Sequence, residues 1–443
     1  MIERVEPQFP PGTVPADALC RTLDCVAYAS LYAFVFTIPW AEEISEIGGF
    51  VIDRWVGLLA LLTAMLRVLA VRTLKKPCAL HSWMAAFAIW SGASFIWSAN
   101  PGNTVTRTTT YLQCLVLVWL IWELTVTEMR VIGLLEAYIL GTCVSSASVV
   151  WNLLSGRTAA QIAYDQGIIT GDINDATRYT AEGFNANDLG LLLALSVPMT
   201  LYLISVRKRG CIAYLCWAQL IVCVTAIFLT GSRTAVISLA VALAIVPFAV
   251  PRWPKHQKLI SALVLSIGVT SAIILVPKGT WERLLTIQTE VTSGTLDLRT
   301  VIWKAGLQVF QEHPFLGVGS GAFGQTMGLQ LDRAFVAHNT FLSILVELGV
   351  VGALIMSGLL LCMLYCAFHF SGLKKQLWTV LLLTWGVGVS AATWEYHKPT
   401  WLLFGLLTAQ ASVVSIEERF KQRQAHFSRF YAQDVQITRY AAS

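Results

Sequence analysis

Twelve stretches of the chain are apolar almost without interruption, at roughly 25 to 40, 51 to 71, 79 to 98, 109 to 126, 131 to 151, 188 to 206, 211 to 229, 234 to 250, 259 to 276, 339 to 368, 377 to 394 and 399 to 415. A helix that crosses a bilayer needs about 20 mostly apolar residues, so the pattern predicts about twelve transmembrane helices. The strands of a membrane barrel would instead alternate with period two over about ten residues. These runs are longer and continuous. The expected fold is an all-α polytopic membrane protein, with residues 1–443 forming a single integral membrane domain.

Composition agrees: 56% of residues are hydrophobic and only 13% are charged, too apolar a balance for a soluble chain of 443 residues. The distribution of the few basic residues then predicts orientation, because Lys and Arg in short loops are retained in the cytoplasm. Counted from the N-terminus, the even-numbered connections carry Arg72, Lys75 and Lys76, then Arg130, then Arg207, Lys208 and Arg209, then Arg252, Lys255 and Lys258, then Lys374 and Lys375. The first odd-numbered connection reads AEEISEIGG, whereas the 416–443 tail is basic. Both termini are therefore expected in the cytoplasm. The start, MIERVEPQFPPGTVPAD, lacks the basic-then-apolar layout of a cleavable signal, so the first helix is expected to remain as an anchor.

In this topology none of the ten cysteines falls in an outer connection, and no disulfide framework is implied. Cys362 and Cys366 lie one helical turn apart in an apolar run, where packing explains them better than metal ligation.

Two outer connections are long, 152–187 and 277–338, and extramembranous chemistry must be built largely from them. In LDLRTVIWKAGLQVFQEHPFLGVGSGAFG, Leu298, Val301, Ile302, Ala305 and Val309 recur at helical spacing, with Asp297 as the expected N-cap. This amphipathic helix is expected to end at His313 and Pro314. Glycines 317, 319, 321 and 324 then permit a close-packed loop. No strand precedes them and no βαβ unit surrounds them, so they are not a dinucleotide-binding fingerprint.

The outer arginines are the anomaly. Arg54, Arg157, Arg178, Arg283 and Arg333 read most plainly as interfacial anchors. Arg233 differs because LTGSRTA is a connection of only a few residues, with Gly231, Ser232 and Thr234 around a helix start. Backbone amides and a guanidinium there can jointly hold an anion such as a diphosphate. Arg299 opens the amphipathic helix. In GFNANDLG, Asn185 or Asn187 can cap the following helix or face sugar hydroxyls, and Gly190 admits a neighbouring backbone.

His338 stands with Asn339 and Thr340 where the second long connection returns to an apolar run. Capping or an interfacial hydrogen bond is the plainer role. A histidine at a helix N-terminus also tends to be neutral, which suits a general base. His313 and His397 are the other outer histidines, and Glu347, nine residues beyond His338, points away from it on a helix.

Taken together, LTGSRTA, then RTVIWKAGLQVFQEHPFLGVGSGAF in a long outer loop, then AHNTFLSILVELGVVG resemble the bacterial O-antigen ligases and their relatives, the O-antigen polymerases and protein O-oligosaccharyltransferases. The similarity is sharpest from about 183 to 352. The resemblance implies an inverting, metal-independent glycosyltransferase of the GT-C type, without cofactor, whose site faces the periplasm. It implies undecaprenyl-diphosphate-linked O-antigen as donor and lipid A-core as acceptor. On that analogy His338 is catalytic and Arg233 and Arg299 hold the diphosphate, with Asn185, Asn187, Asn339 and Arg54 as further candidate contacts. No nucleic-acid partner is expected. The short tail argues against many protein O-oligosaccharyltransferases.

Two other readings remain at this level. A metal-assisted reaction would draw on Asp172, Asp175, Glu42 and Glu43, whose spacing is that of ordinary loop residues. A transporter of lipid-linked sugars would place polar residues near the bilayer midplane, often on internal repeats. No clear repeat is visible, and the polar candidates cluster at one face.

Overall fold

The computed structural model describes residues 14–41, 52–165, 176–207, 210–286 and 298–440, which are helical with no strand. The helices are α1 (Val14–Thr37), α2 (Ile52–Val71), α3 (Ala79–Ala93), α4 (Pro101–Leu124), α5 (Glu128–Leu154), α6 (Ala159–Asp165), α7 (Ala186–Val206), α8 (Cys211–Leu229) and α9 (Arg233–Ala242). They continue with α10 (Val246–Ala249), α11 (Lys255–Leu275), α12 (Lys278–Leu285), α13 (Arg299–Glu312), α14 (Phe323–Leu331), α15 (Thr340–His369), α16 (Gly372–Val389) and α17 (Lys398–Tyr440).

Each of the twelve apolar runs falls on this helical framework. Among the described residues, nine helical spans are long and apolar enough to cross a membrane by length and composition. The other three runs lie on α3, α4 and α16. Of these α3 has only 15 residues, α4 opens on the polar stretch NTVTRTTT, and α16 opens on Lys374, Lys375 and Gln376. The run 234–250 is not one regular helix: Pro247 and Pro251 remove backbone donors, and α9 and α10 are joined and followed by 3-10 turns. The last helix continues to Tyr440 instead of giving way to a tail at 416, since no glycine or proline follows Gly405 to stop it.

α7 is the centre of the bundle. Its residues Leu189 to Ile204 are all buried, and it packs on α5, α8, α9 and α16. Gly190 permits the contact with α9, because a Cβ there would fall on the side chain of Ala235. At one end of the bundle, basic residues at or near the short connections pair with acidic ones: Arg130 with Asp24, Arg67 of α2 with Glu123, Arg207 with Glu136, and Lys374 with Glu128.

The opposite end gathers the two long connections. Where one amphipathic helix was expected in 277–338, the described residues form three, α12, α13 and α14. Ile302, Ala305, Val309, Phe323 and Met327 of α13 and α14 close a small second core with Val346 of α15. α13 spans Arg299–Glu312 and ends at His313, as its pattern predicts. Its start is preceded by Leu298 in a left-handed conformation, and Asp297 lies outside the described residues. Asp172, Asp175, Glu42 and Glu43 also lie outside them.

The glycine loop docks against a break in α15. Gly349 has φ 66° and ψ −168°, so the helix is interrupted there and backbone groups on both sides lose their helical partners. Val318 N–H donates to Val346 O at 3.0 Å and Gly319 N–H to Glu347 O at 2.9 Å. Trp90 Nε1 donates to Leu348 O at 3.0 Å, and Val350 N–H donates to Pro314 O at 2.8 Å. Glycines 317, 319 and 321 all have positive φ, whereas Gly324 belongs to α14 and does not.

A side chain at Gly349 is excluded twice, by this backbone conformation and by the Phe315 carbonyl that a Cβ would strike. Gly349→Ala is therefore expected to destabilise the purified protein by roughly 1–3 kcal/mol. Gly268→Ala, in a helix with nothing within 4 Å of the added carbon, is expected to stabilise by up to about 1 kcal/mol. Thermal unfolding of both variants in detergent checks the contrast.

Candidate functional site

Ser232 caps α9 by accepting from Ala235 N–H, and this cap sets Arg233 as the first helical residue. Gly231, with φ 58°, turns the chain tightly just before it. The side chains of Arg178 and Arg283 close over that turn, because a Cβ on Gly231 would meet Arg178 Cγ at 3.2 Å and Arg283 Cδ at 3.7 Å. Arg178 Nε donates to Thr230 O at 2.8 Å, and Arg283 Nε donates to Gly231 O at 3.2 Å. Arg233 Nε donates to Arg283 O at 3.2 Å and its Nη2 to Thr286 Oγ1 at 2.8 Å. Three guanidinium groups from three separate connections thus surround one turn.

The asparagines divide their roles. Asn185 is the N-cap of α7, accepting from Asn187 N–H at 2.8 Å. Asn187 does not cap; its Oδ1 accepts from Arg178 Nη2 at 2.9 Å. Next to it, Asp188 accepts from Trp394 Nε1 at 2.8 Å and lies within the electrostatic reach of Arg178 and Arg299. Trp394 N–H in turn donates to Thr340 Oγ1 at 2.7 Å. Hydrogen bonds thus tie the arginine turn to Asn187, and tie its chain neighbour Asp188 to the Trp394 indole, whose own backbone N–H holds the start of α15.

His338 lies at that start, but not as a helix residue. Asn339 is the N-cap of α15, its side chain accepting from Leu342 N–H at 3.0 Å, and His338 precedes it with φ 46°. A left-handed histidine costs on the order of 1–2 kcal/mol. The surroundings impose it: Trp303 Nε1 of α13 holds the preceding Ala337 carbonyl at 2.9 Å, and Thr340 Oγ1 is tied to Ala392 O at 2.9 Å. The same tryptophan brings α13, which begins at Arg299, against the turn that carries His338. The imidazole is half-buried.

WEYHKP, 394–399, carries four polar side chains where the apolar runs 377–394 and 399–415 meet, and of these the sequence pattern singles out only His397. Asp188, Trp394, Tyr396, His397, Lys398 and Arg54 line one cavity of about 300 Å³. Lys398 is ion-paired with the buried Asp53. Burial, with Arg107 and Lys398 nearby, pushes the His397 imidazole down to about 3, so it is neutral at physiological pH.

A second set of buried charges supports this end. Arg107 of α4 lies over the Tyr396 ring, 3.4 Å from its centroid, and 3.5 Å from Glu395 Oε1. Glu395 accepts from Ser343 Oγ at 3.1 Å, and Glu347 accepts from Gly321 N–H at 2.7 Å and Phe323 N–H at 3.3 Å. Arg107 also lies within the field of Glu347. The only sequence signal for it was a basic residue inside a threonine-rich helix start.

Of the arginines read as anchors, Arg157 pairs with Asp165 and Glu182, and Arg333 lies exposed near Phe335. Among the described residues, no three His, Cys, Asp or Glu side chains form a metal-ligating group.

Residues 218–357 match a family model described as O-antigen ligase, and the chain is in this respect consistent with the O-antigen ligase superfamily. No curated protein matches the chain. The matched segment includes Arg233, Arg283, Arg299, His338 and Glu347. Arg54, Arg107, Arg178, Asn187, Asp188 and Trp394 lie outside it.

Burial pushes the Glu395 carboxyl up to about 7, Arg107 drawing it back and Glu347 adding to the rise. The folded chain thus holds this proton more tightly than the unfolded chain. Its contribution to stability is complete below the ordinary carboxylate range and is lost as pH rises through about 7. The melting temperature in detergent is expected to fall over that window, and Glu395→Gln is expected to flatten the fall.

Proposed function

We propose, from the match of residues 218–357 to the O-antigen ligase family, that the chain is a glycosyltransferase moving a glycan from undecaprenyl diphosphate to the terminal sugar of lipid A-core. The observation that carries this reading is the convergence of Arg178, Arg233 and Arg283 on Gly231, linked through Asn187, Asp188 and Trp394 to the turn bearing His338. The arginine turn suits a lipid diphosphate, since charge-assisted bonds from guanidinium groups neutralise phosphate oxygens with defined geometry. Arg299, within electrostatic reach of the same Asp188, adds a fourth cation.

The chemistry follows from those roles. The acceptor hydroxyl oxygen attacks the anomeric carbon from the face opposite the diphosphate. His338 takes the hydroxyl proton, the anomeric C–O bond breaks, and its electron pair leaves on the diphosphate, where the arginines hold the departing charge. The linkage inverts. No metal is assigned a role, because the guanidinium groups supply the charge stabilisation.

This end of the bundle faces the periplasm in the proposed topology, with both termini in the cytoplasm. The basic residues of the even-numbered connections support it, and so does the shared placement of 176–187 and 277–286 at the arginine turn. Nucleotide sugars are not expected in that compartment, so a donor carrying its own diphosphate suits it.

In a purified assay with lipid-linked donor and lipid acceptor, His338→Ala is expected to lower turnover by about a hundredfold or more while the variant remains folded. Arg233→Ala is expected to weaken donor use, with Lys restoring it only in part. Activity is expected to survive EDTA. Near wild-type turnover by His338→Ala would remove the base assignment, and loss rescued by added divalent cation would return the leaving group to a metal.

Ligase and polymerase share the donor and differ in the acceptor. Deletion of the gene is expected to leave lipid A-core uncapped while long polymer accumulates on undecaprenyl diphosphate. Core capped with a single repeat, without long polymer on the carrier, would replace the ligase reading with the polymerase one.

A further inference from the structure

The polar cavity at residues 394–398 has an apolar neighbour. A groove of about 340 Å³ runs along Phe34 of α1, Gly57, Leu58 and Leu61 of α2, and Val116 and Leu117 of α4. Asp53, Arg54, Gln113 and Lys398 line both spaces, so the two meet at these four residues. One space is lined by charged and aromatic polar groups, the other by hydrocarbon. Together they have the shape of a site for an amphiphile.

The groove lies on the side of the bundle that helix packing leaves open. Among the residues of α2 only Asp53, Ala60 and Ala64 are buried. Leu58, Leu62, Leu66 and Leu69 are all exposed along its outward face, a stripe suited to lipid. The junction carries a charge to match. The ion pair of Lys398 with Asp53 leaves Lys398 balanced, whereas Arg54 is exposed and makes no hydrogen bond or ion pair among the described residues. Two cations and one carboxylate leave one net positive charge at the mouth of an apolar groove.

We propose that this junction binds a lipid with a phosphate headgroup, the phosphate between Arg54 and Lys398 and the hydrocarbon chain in the groove between α1, α2 and α4. The headgroup then projects into the polar cavity toward Asp188, with the arginine turn beyond it. In the transfer reaction the lipid held here is the acceptor, separate from the donor diphosphate; that assignment, unlike the binding itself, rests on the proposed function.

The test uses the full chain in detergent with phosphatidic acid bearing a diazirine in its acyl chain, compared with diacylglycerol carrying the same chain. Phosphatidic acid is expected to label peptides containing Gly57–Leu61 and Val116–Leu117. Arg54→Glu, which reverses the charge, and Leu61→Trp, which fills the groove, are each expected to cut that labelling about tenfold. Diacylglycerol is expected to label these peptides only weakly. Equal labelling by both lipids, or labelling unchanged in both variants, overturns the site. This readout needs no turnover, so it stands or falls apart from the transferase reading. In the transfer assay Leu61→Trp is expected to raise the KM for the lipid acceptor about tenfold and leave the donor KM unchanged. An unchanged acceptor KM in a variant that has lost labelling overturns the acceptor assignment.

Discussion

The seating of the second long connection on the bundle depends on the interruption of α15 at Gly349. A helix that runs unbroken satisfies its own backbone and offers nothing to a loop. Once broken, it exposes carbonyls at 346 to 348 and N–H groups at 350 and 351, and in an apolar surround each must find a partner within the protein. The glycine loop 313–321 and Trp90 supply them. That exchange holds the second long connection down on the membrane helices. It therefore fixes α13 and α14 above α15, and through Trp303 and Ala337 it fixes the turn at His338.

Charge reinforces the same junction. Arg107 faces two buried carboxyl groups, Glu347 on the broken helix and Glu395 on the segment between α16 and α17. One guanidinium does not balance two carboxylates removed from water, and burial accordingly raises the Glu395 carboxyl, so that below about pH 7 its proton relieves the mismatch. Glu347 holds the N–H groups of the glycine loop while Glu395 holds Ser343. A single cation thus couples the loop, the first turns of α15 and the wall of the polar cavity. Such a network is costly to break, since removing Arg107 leaves two uncompensated groups in the interior.

The proposed chemistry is divided along the chain in the same way. The segment matching the O-antigen ligase family contributes Arg233, Arg283, Arg299 and His338. Arg178, Asn187 and Asp188 come from before it and Trp394 from after it. The three arginines at Gly231 bring together connections that no local pattern links, and their mutual repulsion is tempered by bonds to backbone carbonyls and to Asn187. A turn crowded with cations, whose donors already point toward carbonyl oxygens, is well suited to an anion with several oxygens.

The sequence by itself determined the solvent, the helical class and the places where chemistry could lie. Apolar runs of membrane-spanning length need only composition and period to be read, and LTGSRTA and AHNT stand out because polar residues interrupt such runs. Asn185 as a cap and the extent of α13 are local matters of a few successive residues. Tertiary structure decided what local order does not encode. Arg178 and Arg283 resemble ordinary interfacial anchors until packing closes them over Gly231. WEYHKP is a short polar interval until α7 places Asp188 beside Trp394. Glu347 is one acid in an apolar helix until the loop docks on it. These assignments depend on contacts between residues separated by tens to hundreds of positions, and such contacts are set by burial and backbone hydrogen bonding across the whole bundle.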